Sequence, residues 1–257
     1  MTPITEQPSP HRHLETKTIQ ELTALLNQED ATVAGAIHKA LPQLNRLIST
    51  IVTQLKNGGR LSVLDAIELP TTFGIQHGVV VPLLAGGVEH LVEAREEMED
   101  NYLEGWERLQ KEQVSPADIV LGISASGTTP YVLGALEACR KADIPTGCIV
   151  SNPDSPIARQ ADYPVEVITG PEFLTGSTRM KCGTAQKMIL DMISTTTMIQ
   201  LGRVEDNQMV NVLLINHKIT DRAVKMLMGK ASLTSYEQAK ALLLEYGSVK
   251  NAIDHLK

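Results

Sequence analysis

Aromatic side chains are scarce: one Trp, five Tyr and two Phe amount to 3% of the 257 residues. A hydrophobic fraction of 42% still allows a sizeable core, but one built from Leu, Ile, Val, Ala and Met. Cysteine is scarcer, with Cys139, Cys148 and Cys182 standing apart and no CxxC pair. Such a count suits a reducing cytoplasm. No apolar run approaches the length of a membrane span, and the polar start MTPITEQPSPHRHLETK has no apolar signal core. A soluble, cytoplasmic protein is expected. Positive charge is also in deficit, the net charge being −7 and the pI near 5.5. This argues against nucleic acid and against an anionic membrane as partners, because both need concentrated positive charge. An anion can still be held, but only locally, by backbone N–H groups and hydroxyls.

Residues 1 to about 16 read as a polar tail, with His11 and His13 as solvated side chains rather than metal ligands. TIQELTALLNQED then places Ile19, Leu22, Leu25 and Leu26 at helical spacing. TVAGAIHKALPQLNRLISTIVTQLKNGG continues the period, with Pro42 as a candidate kink and Gly58–Gly59 as the stop. Four apolar runs follow as candidate strands: Val79–Gly87, Asp118–Ser126, Thr146–Asn152 and Tyr163–Gly170. Helices are expected near 88–113, 130–143 and 155–161, and then over GTAQKMILDMISTTTMIQLG. Continuous apolar strands alternating with helices predict a mostly parallel sheet covered on both faces, a three-layer α/β/α sandwich. From about residue 203 the chain reads helical to its end. The implied organisation is an N-terminal tail with helices (1–57), a sheet domain (58–202) and a C-terminal helical region (203–257).

Between the second candidate strand and its helix lies SASGTTPYV, which holds Ser124, Ser126, Gly127, Thr128 and Thr129. In an open parallel sheet, ligands sit beyond the carboxyl ends of the strands. A helix N-terminus there presents free N–H groups and partial positive charge, and glycine lets the backbone come close. Four hydroxyls in six residues exceed what a helix cap needs, so the stretch reads as a phosphate cradle that requires no lysine. It lacks GxGxxG and GxxxxGK[ST], which disfavours dinucleotides and nucleoside triphosphates.

SASGTTPYV resembles the sugar-phosphate loop of the sugar isomerase (SIS) domain, a flavodoxin-like fold. LDAIELPTTFG (Leu64 to Gly74) and GPEFLTGSTRMKCGTAQK (Gly170 to Lys187) resemble bacterial N-acetylmuramic acid 6-phosphate etherases. So do NQED, GGRL and LLAGG, and the likeness runs from about residue 14 into the C-terminal helices. The resemblance implies a homodimeric lyase of cell-wall amino-sugar recycling that acts on an amino-sugar phosphate. It would release D-lactate and N-acetylglucosamine 6-phosphate. In the ring-opened sugar C2 lies next to the aldehyde and is acidic. A base takes the C2 proton, an acid protonates the departing lactyl oxygen, and water adds to the double bond. Two proton-transfer groups suffice, with no metal or organic cofactor. By resemblance Glu68 corresponds to the acid, and Glu99, twelve residues beyond Gly87, to the base. Without the resemblance the acidic run around Glu99 reads as a solvated helix face. Glu172, Ser177, Thr178, Arg179 and Lys181 are further substrate-loop candidates. Arg179 and Lys181 put positive charge at a helix start, where the dipole disfavours it; a bound anion or a carboxylate would offset that cost.

The chain departs from the family in NGGRLSVLDAIELPTTFG. It passes from one Gly-Arg-Leu to the segment that normally follows a second, omitting a glycine-rich loop and much of a strand. The shortfall is about eleven residues, the amount that a strand and tight turn require. Three explanations fit: the sequence lacks a segment that the protein has, the deletion is real and inactivating, or the chain is a non-catalytic sugar-phosphate binder resembling glucokinase regulatory proteins. Intact glutamates and an intact phosphate loop favour the first. An aldose–ketose isomerase also removes a C2 proton, but the GPEFLTGSTRMKCGTAQK stretch argues against it.

Overall fold

The computed structural model describes residues 2–62, 73–87 and 96–256. The chain divides into two units, Met1–Leu64 with Val81–Ile193 and Asp65–Val80 with Ser194–Lys257. The first contains helices α1 (Ile19–Asp30) and α2 (Val33–Lys56), strand β1 (Leu61–Ser62) and α3 (Glu104–Lys111). It continues through β3 (Ile119–Ile123), α4 (Pro130–Lys141), β4 (Thr146–Val150), α5 (Pro156–Gln160) and β5 (Tyr163–Glu166). The short strand β2 (Val80–Val81) completes a five-stranded sheet in the order β2-β1-β3-β4-β5. The pairs β1/β3, β3/β4 and β4/β5 are all parallel.

Strands β3 and β4 are buried along nearly their whole length, so each face needs a helical cover. On one face Val120, Cys148 and Val150 share a core with Leu136 and Cys139 of α4 and Ile157 of α5. On the other lies α2, which buries Val33, Ile37, Ala40, Leu44, Leu47, Ile48 and Ile51 at helical period and runs unbroken through Pro42. Missing side chains set the distance of both helices. A Cβ at Gly122 would lie 2.6 Å from Val132 of α4, and one at Gly147 would lie 2.4 Å from Leu47 of α2. The three-layer sandwich read from the apolar runs is therefore the observed fold.

Four expectations need correction. The run Val79–Gly87 is a strand only over Val80–Val81; Pro82 has no N–H for a ladder, and the chain turns at Ala85–Gly86. The region after residue 203 is not helical at first. It opens with a hairpin, β6 (Val204–Glu205) against β7 (Gln208–Met209), whose turn holds Asp206 at φ +56°; Asp and Asn tolerate that conformation. The tail is solvated only in part: Thr5 and Ser9 are buried and His11 is half-buried against Glu29, whereas His13 is exposed as expected. Of the helix expected at 88–113, residues 88–95 lie outside the described residues, Glu96–Asp100 form a 3₁₀ turn, and α3 is the regular part.

The second unit is a separate helical cluster. Helices α7 (His217–Ala231), α8 (Tyr236–Tyr246) and α9 (Val249–Leu256) bury Val224, Leu227, Leu243 and Val249 with Val210 and Val212. Asn216 and Ser235 cap α7 and α8 by accepting from the Ile219 and Gln238 amides. The long helix α6 (Lys181–Gln200) precedes the hairpin.

The start of β1 is fastened by Asp118, which is 3% exposed. Its carboxylate accepts from the Arg60 amide at 2.7 Å, from Arg60 Nη2 at 2.9 Å and from the Ser115 amide at 2.9 Å. Burial opposes ionisation here, but the hydrogen bonds and charge of Arg60 outweigh it and hold the carboxyl below the usual aspartate range. A folded value below the unfolded one stabilises the fold above the unfolded value and loses that effect as pH falls through the folded one. Asp118→Ala is expected to lower the unfolding free energy by about 2–3 kcal/mol at pH 7. In urea unfolding, its deficit relative to the parent protein should shrink as the pH is taken below about 4.

Candidate active site

The hydroxyl loop closes on itself. Ser124 Oγ accepts from the Gly127 amide at 3.1 Å and lies 2.7 Å from Thr129 Oγ1 and 3.3 Å from Ser126 Oγ. Ser126 Oγ accepts from the amide and hydroxyl of Thr128. Gly127 sits at φ +73°, where a Cβ would lie 2.2 Å from Ser155 Oγ, so no other residue fits. Its carbonyl accepts from the Ile157 amide, which ties the loop to the start of α5. Thr129 heads α4 without using its side chain as a cap, and Pro130 follows at the first helical position.

Beside this loop lies a cavity of about 420 Å³, within the ~300–1,000 Å³ typical of small-molecule sites. Ser124, Ser126 and Thr129 line it, with Glu99 from the 3₁₀ turn and Thr178 and Arg179 from the segment entering α6. The structure thus brings together six of the residues singled out in the sequence. Gly127 and Thr128 do not line the cavity; the glycine is buried behind it and Thr128 is exposed. Ser177 stands outside the lining as well. Glu68 lies outside the described residues. Three polar lining residues escaped the sequence reading: Ser62 at the end of β1, Tyr131 on α4 and Gln186 on α6. Gln186 falls three residues after Gly183, which also lines the cavity, so helical spacing from that glycine could have found it. Burial pushes the Tyr131 phenol up to about 12, so it stays protonated.

Glu172 and Lys181 have structural surroundings instead. Glu172 is fully buried and accepts from the Lys181 and Cys182 amides at 2.9 Å each, capping α6. Lys181 Nζ meets Glu29 Oε2 at 2.5 Å, and the other Glu29 oxygen lies 2.9 Å from His11 Nε2. The carboxylate that offsets a lysine at this helix start is thus the protein's own. The N-terminal segment reaches the phosphate loop too. Asn152 Nδ2 donates both to Thr5 Oγ1 at 2.9 Å and to the Ser126 carbonyl at 3.0 Å, and Asn152 Oδ1 accepts from the Thr5 amide. Ser9 Oγ donates to the Phe173 carbonyl at 2.7 Å. Burial keeps all three cysteine thiols protonated, with Cys139 and Cys148 pushed up to about 12. Among the described residues, no three His, Cys, Asp or Glu side chains gather as metal ligands.

Comparison with known proteins accords with this geometry. The model of the SIS domain matches residues 103–196, and that of the glucokinase regulatory protein N-terminal SIS domain matches residues 32–140. The N-acetylmuramic acid 6-phosphate etherase of Bacteroides thetaiotaomicron is 51% identical over 262 residues, covering 98% of this chain and 94% of its own. That of Porphyromonas gingivalis ATCC 33277 is 51% identical over 265 residues, covering 99% and 96%. This chain belongs to the N-acetylmuramic acid 6-phosphate etherase family. The P. gingivalis match is longer than the 257-residue chain itself, so that etherase has positions with no counterpart here. Among solved structures, the NanR protein of Vibrio vulnificus complexed with ManNAc-6P matches with a TM-score of 0.50 at 11% identity, covering 72% of this chain and 65% of its own. That likeness shows a shared fold. Among the described residues, no helix is long and apolar enough to cross a membrane.

The Glu29–Lys181 pair makes a direct test of the α6 anchor. The lysine side chain is 6% exposed, so Glu29→Ala strands a buried charge and should cost about 3 kcal/mol. Adding Lys181→Met should recover most of that loss in chemical denaturation.

Proposed function

We propose that the chain is an N-acetylmuramic acid 6-phosphate etherase. It cleaves the lactyl ether by elimination and then adds water across the resulting double bond, giving N-acetylglucosamine 6-phosphate and D-lactate. The observation that carries this reading is 51% identity to named etherases over nearly the whole chain, together with one cavity that holds the hydroxyl loop, Glu99 and Arg179. The V. vulnificus NanR protein was captured with ManNAc-6P, and that supports a sugar phosphate as the ligand class. Glycine-backed hydroxyls and the start of α4 receive the phosphate dianion. Glu99 takes the proton from C2 of the ring-opened sugar, and Glu68 protonates the departing lactyl oxygen. No electrons change hands and the sum is a hydrolysis, so two proton-transfer groups meet the chemical requirement. The reading extends to a homodimer in the cytoplasm that serves peptidoglycan recycling; the three free, buried cysteines support a reducing compartment. A non-catalytic sugar-phosphate regulator is the lesser reading, because near-complete coverage of etherases goes beyond a shared SIS domain.

The test is D-lactate release from N-acetylmuramic acid 6-phosphate. Glu99→Ala is expected to lower kcat by about 10²- to 10⁴-fold with an unchanged melting temperature. Sugar-phosphate binding without any lactate release from the unmodified chain would overturn the etherase and favour the regulator. A second measurement addresses the phosphate loop. Ser124→Ala removes the acceptor of the Gly127 amide and should weaken N-acetylglucosamine 6-phosphate binding about tenfold. Asn152→Ala, acting only through the Ser126 carbonyl and Thr5, should raise KM and leave kcat nearly unchanged.

A further inference from the structure

Arg179 is the one cation among the described residues that line the cavity. Its neighbours in sequence are otherwise engaged: Lys181 is held by Glu29 and Lys187 pairs with Asp191. Arg179 has no such carboxylate among the described residues, and it is exposed. Nor can the first amides of α6 serve a ligand, because those of Lys181 and Cys182 already donate to Glu172 and that of Gly183 to the Thr178 carbonyl. An anion at this wall of the cavity therefore has the guanidinium as its counter-charge. The hydroxyl loop, built on different elements, provides for a phosphate without a cation.

An etherase substrate carries two anionic groups, the 6-phosphate and the lactyl carboxylate. We infer that Arg179 receives the lactyl carboxylate while the Ser124–Thr129 loop receives the phosphate. This rests on the etherase reading and deepens it by naming the residue that separates N-acetylmuramic from N-acetylglucosamine phosphates. A guanidinium suits the task, since its planar fork matches a carboxylate with two parallel hydrogen bonds. The charge balance points the same way. Glu99 lines the same cavity, and a carboxylate entering without a counter-charge would meet like charge.

The experiment compares two ligands that differ by the lactyl group. Binding of N-acetylmuramic acid 6-phosphate and of N-acetylglucosamine 6-phosphate is measured by calorimetry on full-length Glu99→Gln protein, in which turnover is slowed, with and without Arg179→Gln. Lactate release by the unmodified protein is followed separately. The expected result is a loss of about 10- to 100-fold in affinity for the lactyl ligand. Affinity for the other ligand should stay within about twofold, and Arg179→Lys should fall between. Equal losses for both ligands would assign Arg179 to the phosphate or to loop structure and overturn the inference, and no loss for either would also overturn it. A selective loss without lactate release from the unmodified protein would sink the etherase reading and leave carboxylate recognition standing. Binding of neither ligand, even with Arg179 in place, would overturn both.

Discussion

The amide and carbonyl of Gly127 hold the candidate site together. The amide donates to Ser124, which fixes the hydroxyls toward one another, and the carbonyl accepts from Ile157, which fixes the loop to the next helix. The residue holds both bonds at a positive φ, and Ser155 fills the space where any side chain would stand. The remaining geometry follows from that point. β3 and β4 end side by side because they pair in parallel register from Val120–Thr146 to Ile123–Ile149. Ser124 continues the ladder to the Ile149 carbonyl before the chain turns away. A phosphate cradle made in this way costs no charged residue, which suits a protein with a net charge of −7.

The second structural layer of the site is the N-terminal segment. Thr5 reaches Ser126 through Asn152, Ser9 reaches Phe173, and His11 joins Lys181 through Glu29. Each of these links ends on the phosphate loop or on the segment leading into α6, the two pieces of chain that supply most of the polar wall of the cavity. The interlocking explains how a loop rich in Gly and Ser, with little intrinsic rigidity, is held in one arrangement. It also separates two cations of similar sequence context. Lys181 turns inward to an internal carboxylate, whereas Arg179, two residues earlier, faces the cavity.

Most of the sheet was legible in the chain. The runs that became β3, β4 and β5 are apolar, short and bounded by turn residues, and the helix starts at Pro130 and Pro156 carry their own punctuation. The β6–β7 hairpin was not legible as such, because four strand residues around Asp206 offer too little period against the long helical pattern that follows. The run Val79–Gly87 misled for a related reason: apolar residues that line a cavity, such as Leu83 and Leu84, look the same in sequence as residues buried in a strand.

For the site, local sequence determined the phosphate loop, because hydroxyls, a glycine and a helix start must be contiguous to work together. It also determined family, through stretches such as GPEFLTGSTRMKCGTAQK. It could not sort the charges within that stretch. Glu172, Arg179 and Lys181 are within ten residues of one another, yet one caps a helix, one lines the cavity and one is buried against Glu29. Their partners come from residues as far as 152 positions away, and no local pattern records a contact at that range. Whether a charged side chain meets a ligand or the protein itself was decided only when the tertiary structure placed α1 and the N-terminal segment against α6.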